Sequence, residues 1–264
     1  MSTDRAGILI DRLIHLRDPA FAPPPFSANV AEAVLGPSGR LLTPHRRLLE
    51  RANGAYLHEH ALHLFGACES PAWHSLRAWN DRATWRDTYG DATDGLTFFA
   101  EDAFGDQFAY TGSGGEVVTF EAELGRIVPA APSFVAWLEE MIERPAALLP
   151  VDVLARERSE HRMHAAGTHL YSWPPLFSVE SREGVSLGHV DAIEAMRFRG
   201  ELARQIRNLP PGTQFRLDLP GIPDASPAPE GPPGRSGDAS GEGSPGGSSG
   251  GSSGPSDRGG GELE

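Results

Sequence analysis

Two clusters of side chains and one glycine-rich turn carry the residue types from which an active or metal site is commonly built. Asp91, Asp94, Glu101, Asp102 and Asp106 fall in the run Trp79–Glu123, where ten carboxylates stand against two arginines, Arg82 and Arg86. Carboxylates at such density can ligate magnesium or calcium through hard oxygens, or divide general acid and base roles between them. His58, Glu59, His60 and His63 form the second cluster. On a strand His58 and His60 would share one face, as two metal-ligating imidazoles must. Gly112-Ser113-Gly114-Gly115 offers a serine in a glycine turn, or a cradle for phosphate.

Local sequence argues against chemistry at each. The acids lack the twelve-residue calcium-loop pattern and fall at turns, where aspartate is favoured for backbone reasons alone. The residue four after His58 is Leu62, so the zinc pattern of two histidines flanking one helical turn is absent, and a histidine-rich surface strand is the simpler reading. His161 and His164, three apart in a charged stretch, read as solvent-facing. The glycine run is followed by a strand pattern instead of the helix that a phosphate cradle or a nucleophile elbow requires, so it reads as a hairpin turn. Cys68 is the single cysteine, which leaves no disulfide framework and no cysteine-rich zinc site. No catalytic residue, cofactor or metal is expected. Two uses remain for the acids: a solvated rim, or a face that steers a basic protein partner.

The elements that must position these residues follow from periodicity. Residues 4–17 place Ile8, Leu9, Leu13 and Leu16 at helical spacing, and 19–42 read as an extended linker around a short apolar segment, Val30 to Leu35. Thr43 and Pro44 open a second helix that Gly54 terminates. Tyr56 to Phe65 predicts one or two short strands, and Asn80 is placed as the cap of a short helix holding Trp85 and Tyr89. Leu96 to Ala100 is apolar on both faces and predicts a central strand. Gln107 to Thr111 and Glu116 to Phe120 predict adjacent antiparallel strands. Ser133 caps a helix on which Phe134, Trp137, Leu138, Met141 and Ile142 form one stripe. Residues 146–166 read as a solvated helix or loop, and Leu170 to Val179, with its Trp173-Pro174-Pro175, as an irregular or edge segment. Asp191 with Glu194 opens a helix that runs to Asn208. Gln214 to Leu219 is placed as a last strand. The fold class is α+β, a mostly antiparallel sheet with packed helices.

Composition bounds the rest. With 264 residues, 39% of them hydrophobic and 22% charged, the chain has an ordinary globular make-up. All 23 basic residues are arginine, and the net charge is −13. That balance lacks the electrostatic footprint of a nucleic-acid or anionic-membrane binder and calls for a basic partner. No apolar run reaches membrane-spanning length, and the first residues carry charges where a signal peptide has an apolar core, so a cytoplasmic protein is expected. Beyond Leu219 the sequence turns to glycine, serine, proline and scattered acid, with too little apolar surface to offset the entropy of ordering. One folded domain over 1–219 and a disordered tail over 220–264 are expected. Oligomeric state is not legible.

One combination of residues has a family resemblance. A helix leading into Arg51-Ala52-Asn53-Gly54 and an apolar strand is followed by Trp79-Asn80. LTFFAEDAFG (Leu96 to Gly105), Asp106-Gln107-Phe108 and a Val-Val-x-Phe strand come next. Together these resemble the SUKH superfamily, bacterial immunity proteins and fungal regulators of cell-wall synthesis, over roughly residues 40–144. The segment with Met196-Arg197-Phe198-Arg199 looks like an extension found in some bacterial members. The resemblance implies helices on a mostly antiparallel sheet, no catalytic residues and no cofactor. It also implies an immunity protein that binds and neutralises a toxin, often a nuclease, of a polymorphic-toxin system. Asp91, Asp94, Glu101, Asp102 and Asp106 are the expected partner-facing acids.

Overall fold

Aromatic residues at neighbouring positions of one strand set the architecture, because they must be buried on opposite faces of the same sheet. The computed structural model describes residues 4–36, 43–112, 115–160, 165–210 and 212–214. Its main sheet is an antiparallel meander in the order β1 (Ala55–Leu57), β2 (Leu62–Leu64), β3 (Leu96–Asp102), β4 (Gln107–Thr111), β5 (Val117–Glu121) and β6 (Arg126–Ala131). On β3, Phe98 packs beside Trp85 and Phe120, with ring centroids 5.0 and 5.8 Å away. Phe99 turns the other way, toward Tyr110 at 4.6 Å and Trp137 at 5.0 Å. β3 is thus the central strand buried on both faces that its sequence predicts.

One face is covered by α5 (Phe134–Glu143), behind which lie α1 (Arg5–Leu16) and α3 (Thr43–Arg51). Ser133 caps α5 through its side chain, and Phe134, Trp137, Leu138 and Met141 are its buried stripe, as the spacing predicts. Arg5 and Arg12 of α1 pair with Glu139 and Glu143, while Arg47 and Arg51 of α3 pair with Asp4 and Asp11. These exposed pairs add little; buried Leu9, Ile10 and Leu13 do most to hold α1. The opposite face is covered by α4 (Leu76–Asn80), two short 3-10 turns over Arg86–Thr93 that kink at Gly90, and α7 (Ala192–Ile206), which packs on those turns. β7 (Thr168–Trp173) and β8 (Ser186–Asp191) form a separate antiparallel hairpin, and α6 (Val151–Glu160) precedes it. No helix among the described residues is long and apolar enough to cross a membrane.

Several local expectations are corrected. Residues 28–35 form α2, capped by the Ser27 side chain, where an extended linker was expected. Tyr56 to Phe65 holds two short strands, β1 and β2, as expected, but it is not a histidine-rich surface strand: His58, Glu59 and His60 have φ of 50, 59 and 74°, so they turn the chain between the two. The left-handed region is costly for such side chains, which makes it invisible to periodicity. Asn80 ends α4, whose cap is Ser75, and Trp85 and Tyr89 belong to the 3-10 region after it. Of Leu170 to Val179, expected as an irregular or edge segment, residues 170–173 belong to β7, which pairs only with β8 and so is an edge strand, while Pro174 and the residues after it lie outside the strand. The predicted strand at 214–219 lies beyond the described residues except for Gln214, and the tail over 220–264 lies wholly outside them.

His45 of α3 is buried, stacked on Phe134 at 4.7 Å with its Nδ1 3.0 Å from the Tyr110 hydroxyl. Burial lowers its pKa from 6.5 to about 3. A depressed histidine stabilises the fold above its unfolded pKa, and that contribution is lost as pH falls from 6.5 toward 3. Tyr110→Phe removes the shared hydrogen bond, so it is the reference for Tyr110→Phe/His45→Phe. Below pH 6.5 the double variant should gain on the reference by up to about 1.4 kcal/mol per pH unit in urea unfolding. Parallel stability curves would show that His45 is not held neutral.

Candidate functional site

The polar residues of the resemblance are used by the fold where its backbone leaves regular structure. Asn53 accepts the Ala67 amide at 2.7 Å and donates to the Pro24 carbonyl at 2.9 Å. Asn80 accepts the Phe98 amide at 2.8 Å and donates to the Leu76 and Phe98 carbonyls. The Trp79 indole donates to Gln107 Oε1 at 2.8 Å. One Asp102 oxygen accepts the amides of Phe104 and Asp106, and Asp106 in turn accepts the Ala122 amide at 2.8 Å. Short polar side chains here stand in for missing backbone partners, the common use of asparagine and aspartate at turns.

Between these hubs runs a buried relay of polar side chains. His74 Nε2 lies 3.1 Å from the Asn53 carbonyl, and His74 Nδ1 lies 2.8 Å from His63 Nε2. His63 Nδ1 is 2.9 Å from Glu101 Oε1. Glu101 Oε2 accepts from Gln107 Nε2 at 2.9 Å and sits 3.0 Å from His169 Nε2. His169 Nδ1 is 3.1 Å from Arg199 Nη1, and Arg199 Nη2 donates to the Leu170 carbonyl at 2.7 Å. Glycines make room for these rings. A Cβ on Gly66 would lie 2.5 Å from His74 Nε2, and one on Gly105 would lie 2.6 Å from His169 Nδ1.

The five expected partner-facing acids do not share one surface. Glu101 is 3% and Asp102 8% exposed, Asp106 is half-buried with its carboxylate engaged, and only Asp91 and Asp94 stand at the surface. Burial pushes the pKa of Glu101 up, but His169 and His63 together outweigh it and hold the carboxyl at about 2. Burial, reinforced by Asp106, raises Asp102 well above the usual carboxylate range, and burial raises Asp106 too. Asp91 is lowered by its hydrogen bond to Arg207, and Asp94 pairs with Arg82 at 2.6 Å.

The histidine cluster also disperses. His58 Nε2 meets the Met141 carbonyl at 2.7 Å, His60 Nε2 meets Asp18 at 2.7 Å, and His63 enters the relay. Among the described residues no group of three metal-ligand side chains converges. Ser113, Gly114, His161 and His164 lie outside the described residues.

Residues 40–140 match the model of the SMI1 / KNR4 family (SUKH-1). This segment belongs to the SUKH superfamily. No curated protein matches the chain. Among solved structures, the crystal structure of Atu4351 from Agrobacterium tumefaciens aligns with 72% of this chain and 88% of its own, at 12% identity and a TM-score of 0.48.

Asn53, His63, His74, Glu101 and Gln107 lie within the SUKH segment, while His169 and Arg199 come from the region after it. His74, His169 and Arg199 escape a reading of the sequence because their partners are distant in the chain. The available signal is indirect: Gly54, Gly66 and Gly105 are each required by a ring that packs against them. Gly66→Ala should cost about 1–3 kcal/mol by overpacking the His74 ring. Gly188→Ala, where a Cβ meets open space, should stay within about 0.5 kcal/mol. Urea unfolding of the two variants checks both, and equal stabilities would contradict the close packing around His74.

Proposed function

We propose that this protein is a non-enzymatic binding module, an immunity protein that captures and neutralises a basic toxin domain of a bacterial polymorphic-toxin system. The SUKH segment supports the class of module, and the division of the acids supports the mode of binding. Glu101, His63 and His169 are spent on one another inside the molecule, whereas Asp87, Asp91 and Asp94 have side chains 63, 79 and 59% exposed. That difference carries the reading. Arg82 holds Asp87 and Asp94, and Arg207 holds Asp91. Exposed pairs of this kind are worth little, so an incoming cationic surface exchanges with these arginines at low cost. A nuclease site is built to attract phosphate, and an acidic protein face competes for it on the same terms.

The test is to identify, among the reading frames neighbouring this chain's gene, one that encodes a basic toxin domain, and to measure its association with this protein. Replacing Asp87, Asp91 and Asp94 together with asparagine should slow association at low salt by about tenfold or more, while folding stability changes by less than about 0.5 kcal/mol. An unchanged on-rate would reject this face. The composition of residues 220–264 favours a second reading, a scaffolding module tethered through its tail. Deleting 220–264 should leave neutralisation intact; abolished activity would favour tethering.

A further inference from the structure

The buried relay has a direction that its two ends impose. Arg199 can only donate, so its Nη1 requires the lone pair of His169 Nδ1, 3.1 Å away. The ring proton of His169 is then on Nε2, 3.0 Å from Glu101 Oε2. At the far end the Asn53 carbonyl can only accept, so His74 Nε2 carries a proton and His74 Nδ1 is left as an acceptor. His63 Nε2, 2.8 Å from that acceptor, must donate to it, and His63 Nδ1 faces the Glu101 carboxylate at 2.9 Å. Glu101 is held ionised and can only accept, so His63 Nδ1 must donate to it as well, and three rings hold four protons, one more than three neutral imidazoles carry.

We propose that His63 is a buried imidazolium paired with Glu101, and that its extra proton is taken up as the β7–β8–α7 extension docks on the SUKH segment. Extension docking is then coupled to pH. This inference is independent of the proposed partner. The extension contributes His169 and Arg199, and its main chain is tied across the junction by the Leu170 amide to the Ala103 carbonyl at 2.8 Å and the Gly167 amide to the Tyr56 hydroxyl at 3.0 Å. With the extension away, Glu101 meets water, keeps its charge without a counter-ion, and leaves both rings of the His63–His74 pair neutral above about pH 6.5.

The charged and titratable surroundings of His63 fit this count. Glu101 of β3, His169 of β7 and His60 of the β1–β2 turn act on it directly, His74 is its other hydrogen-bond partner, and the Tyr56 ring stacks on it at 4.3 Å. Burial raises the pKa of Asp102, Asp106 and Glu123, and the charge of Arg199 of α7 acts against it. Burial is the largest influence on His63 and, with the charges of His169 and His60, lowers its pKa, against the hydrogen bond and charge of Glu101, which push it up. The acceptor at Asn53 tips the balance, since a neutral His63 facing Glu101 would set its own lone pair against that of His74. A group charged in the docked state contributes fully below its free pKa and loses that contribution as pH rises through its docked pKa. Docking should therefore weaken by up to about tenfold per pH unit on the alkaline side.

Imidazole nitrogen NMR on the full chain at pH 7 reads the count directly. Both nitrogens of His63 should be protonated, with His74 and His169 each protonated on Nε2 alone; a singly protonated His63 would overturn the assignment. Amide hydrogen exchange from pH 7 to 9, corrected for intrinsic rates, reads the coupling. Protection of Leu170 and Gly167 relative to β3 amides should fall with pH in the wild-type chain, and a flat profile would overturn the coupling. In Glu101→Gln the dependence should vanish, and its persistence would also overturn the coupling. The wild-type measurements decide both points if that variant does not fold.

Discussion

Glu101 is a carboxylate with almost no access to water, and much of the structure is arranged to tolerate it. An ionised carboxylate taken out of water costs several kcal/mol unless its oxygens are occupied by well-placed donors. Both oxygens are occupied here, one by His63 and the other by Gln107, with His169 Nε2 lying 3.0 Å from the second. Those partners come from β2, β4 and β7, so one side chain of β3 ties both neighbouring strands and the C-terminal extension of the fold together. Each partner needs its own support: His74 behind His63, Trp79 on Gln107, Arg199 on His169. The glycines at 54, 66 and 105 follow from the same constraint, because a side chain at any of them would displace a ring of the relay.

The parts of this arrangement that a sequence makes legible are those carried by periodicity and caps. Residues 134–143 announce their helix through Ser133 and one apolar stripe, and 96–100 announce a central strand through apolar side chains on both faces. That same two-sided burial hides the role of Glu101. On a half-buried strand alternation tells inward from outward, but on a strand buried on both sides a carboxylate has no pattern to betray it, and Glu101 and Asp102 look like the start of an acidic turn. The histidines fail for the opposite reason. His58 and His60 alternate as a strand would, yet positive φ across three residues folds them into a turn, a local cost that long-range contacts to Met141 and Asp18 offset. β8 is largely exposed, so its polar sequence carries no strand signal until β7 pairs with it.

Acid in this chain therefore does two kinds of work that composition cannot separate. Inside, it fixes backbone turns and anchors the relay. Outside, Asp87, Asp91 and Asp94 stand in solvent, held by arginines that water and salt loosen readily. A module that recognises a cationic partner benefits from that separation. Its recognition charges can change without disturbing the fold, and its internal charges are shielded from the partner.

The most direct test of the central claim is a double-mutant cycle between Glu101→Gln and His169→Asn, read by urea unfolding. If Glu101 stitches the SUKH segment to the extension, the two changes should show a coupling energy of about 1–3 kcal/mol. Strictly additive losses would mean that the two side chains are neighbours without being partners, and the account would fail at its centre.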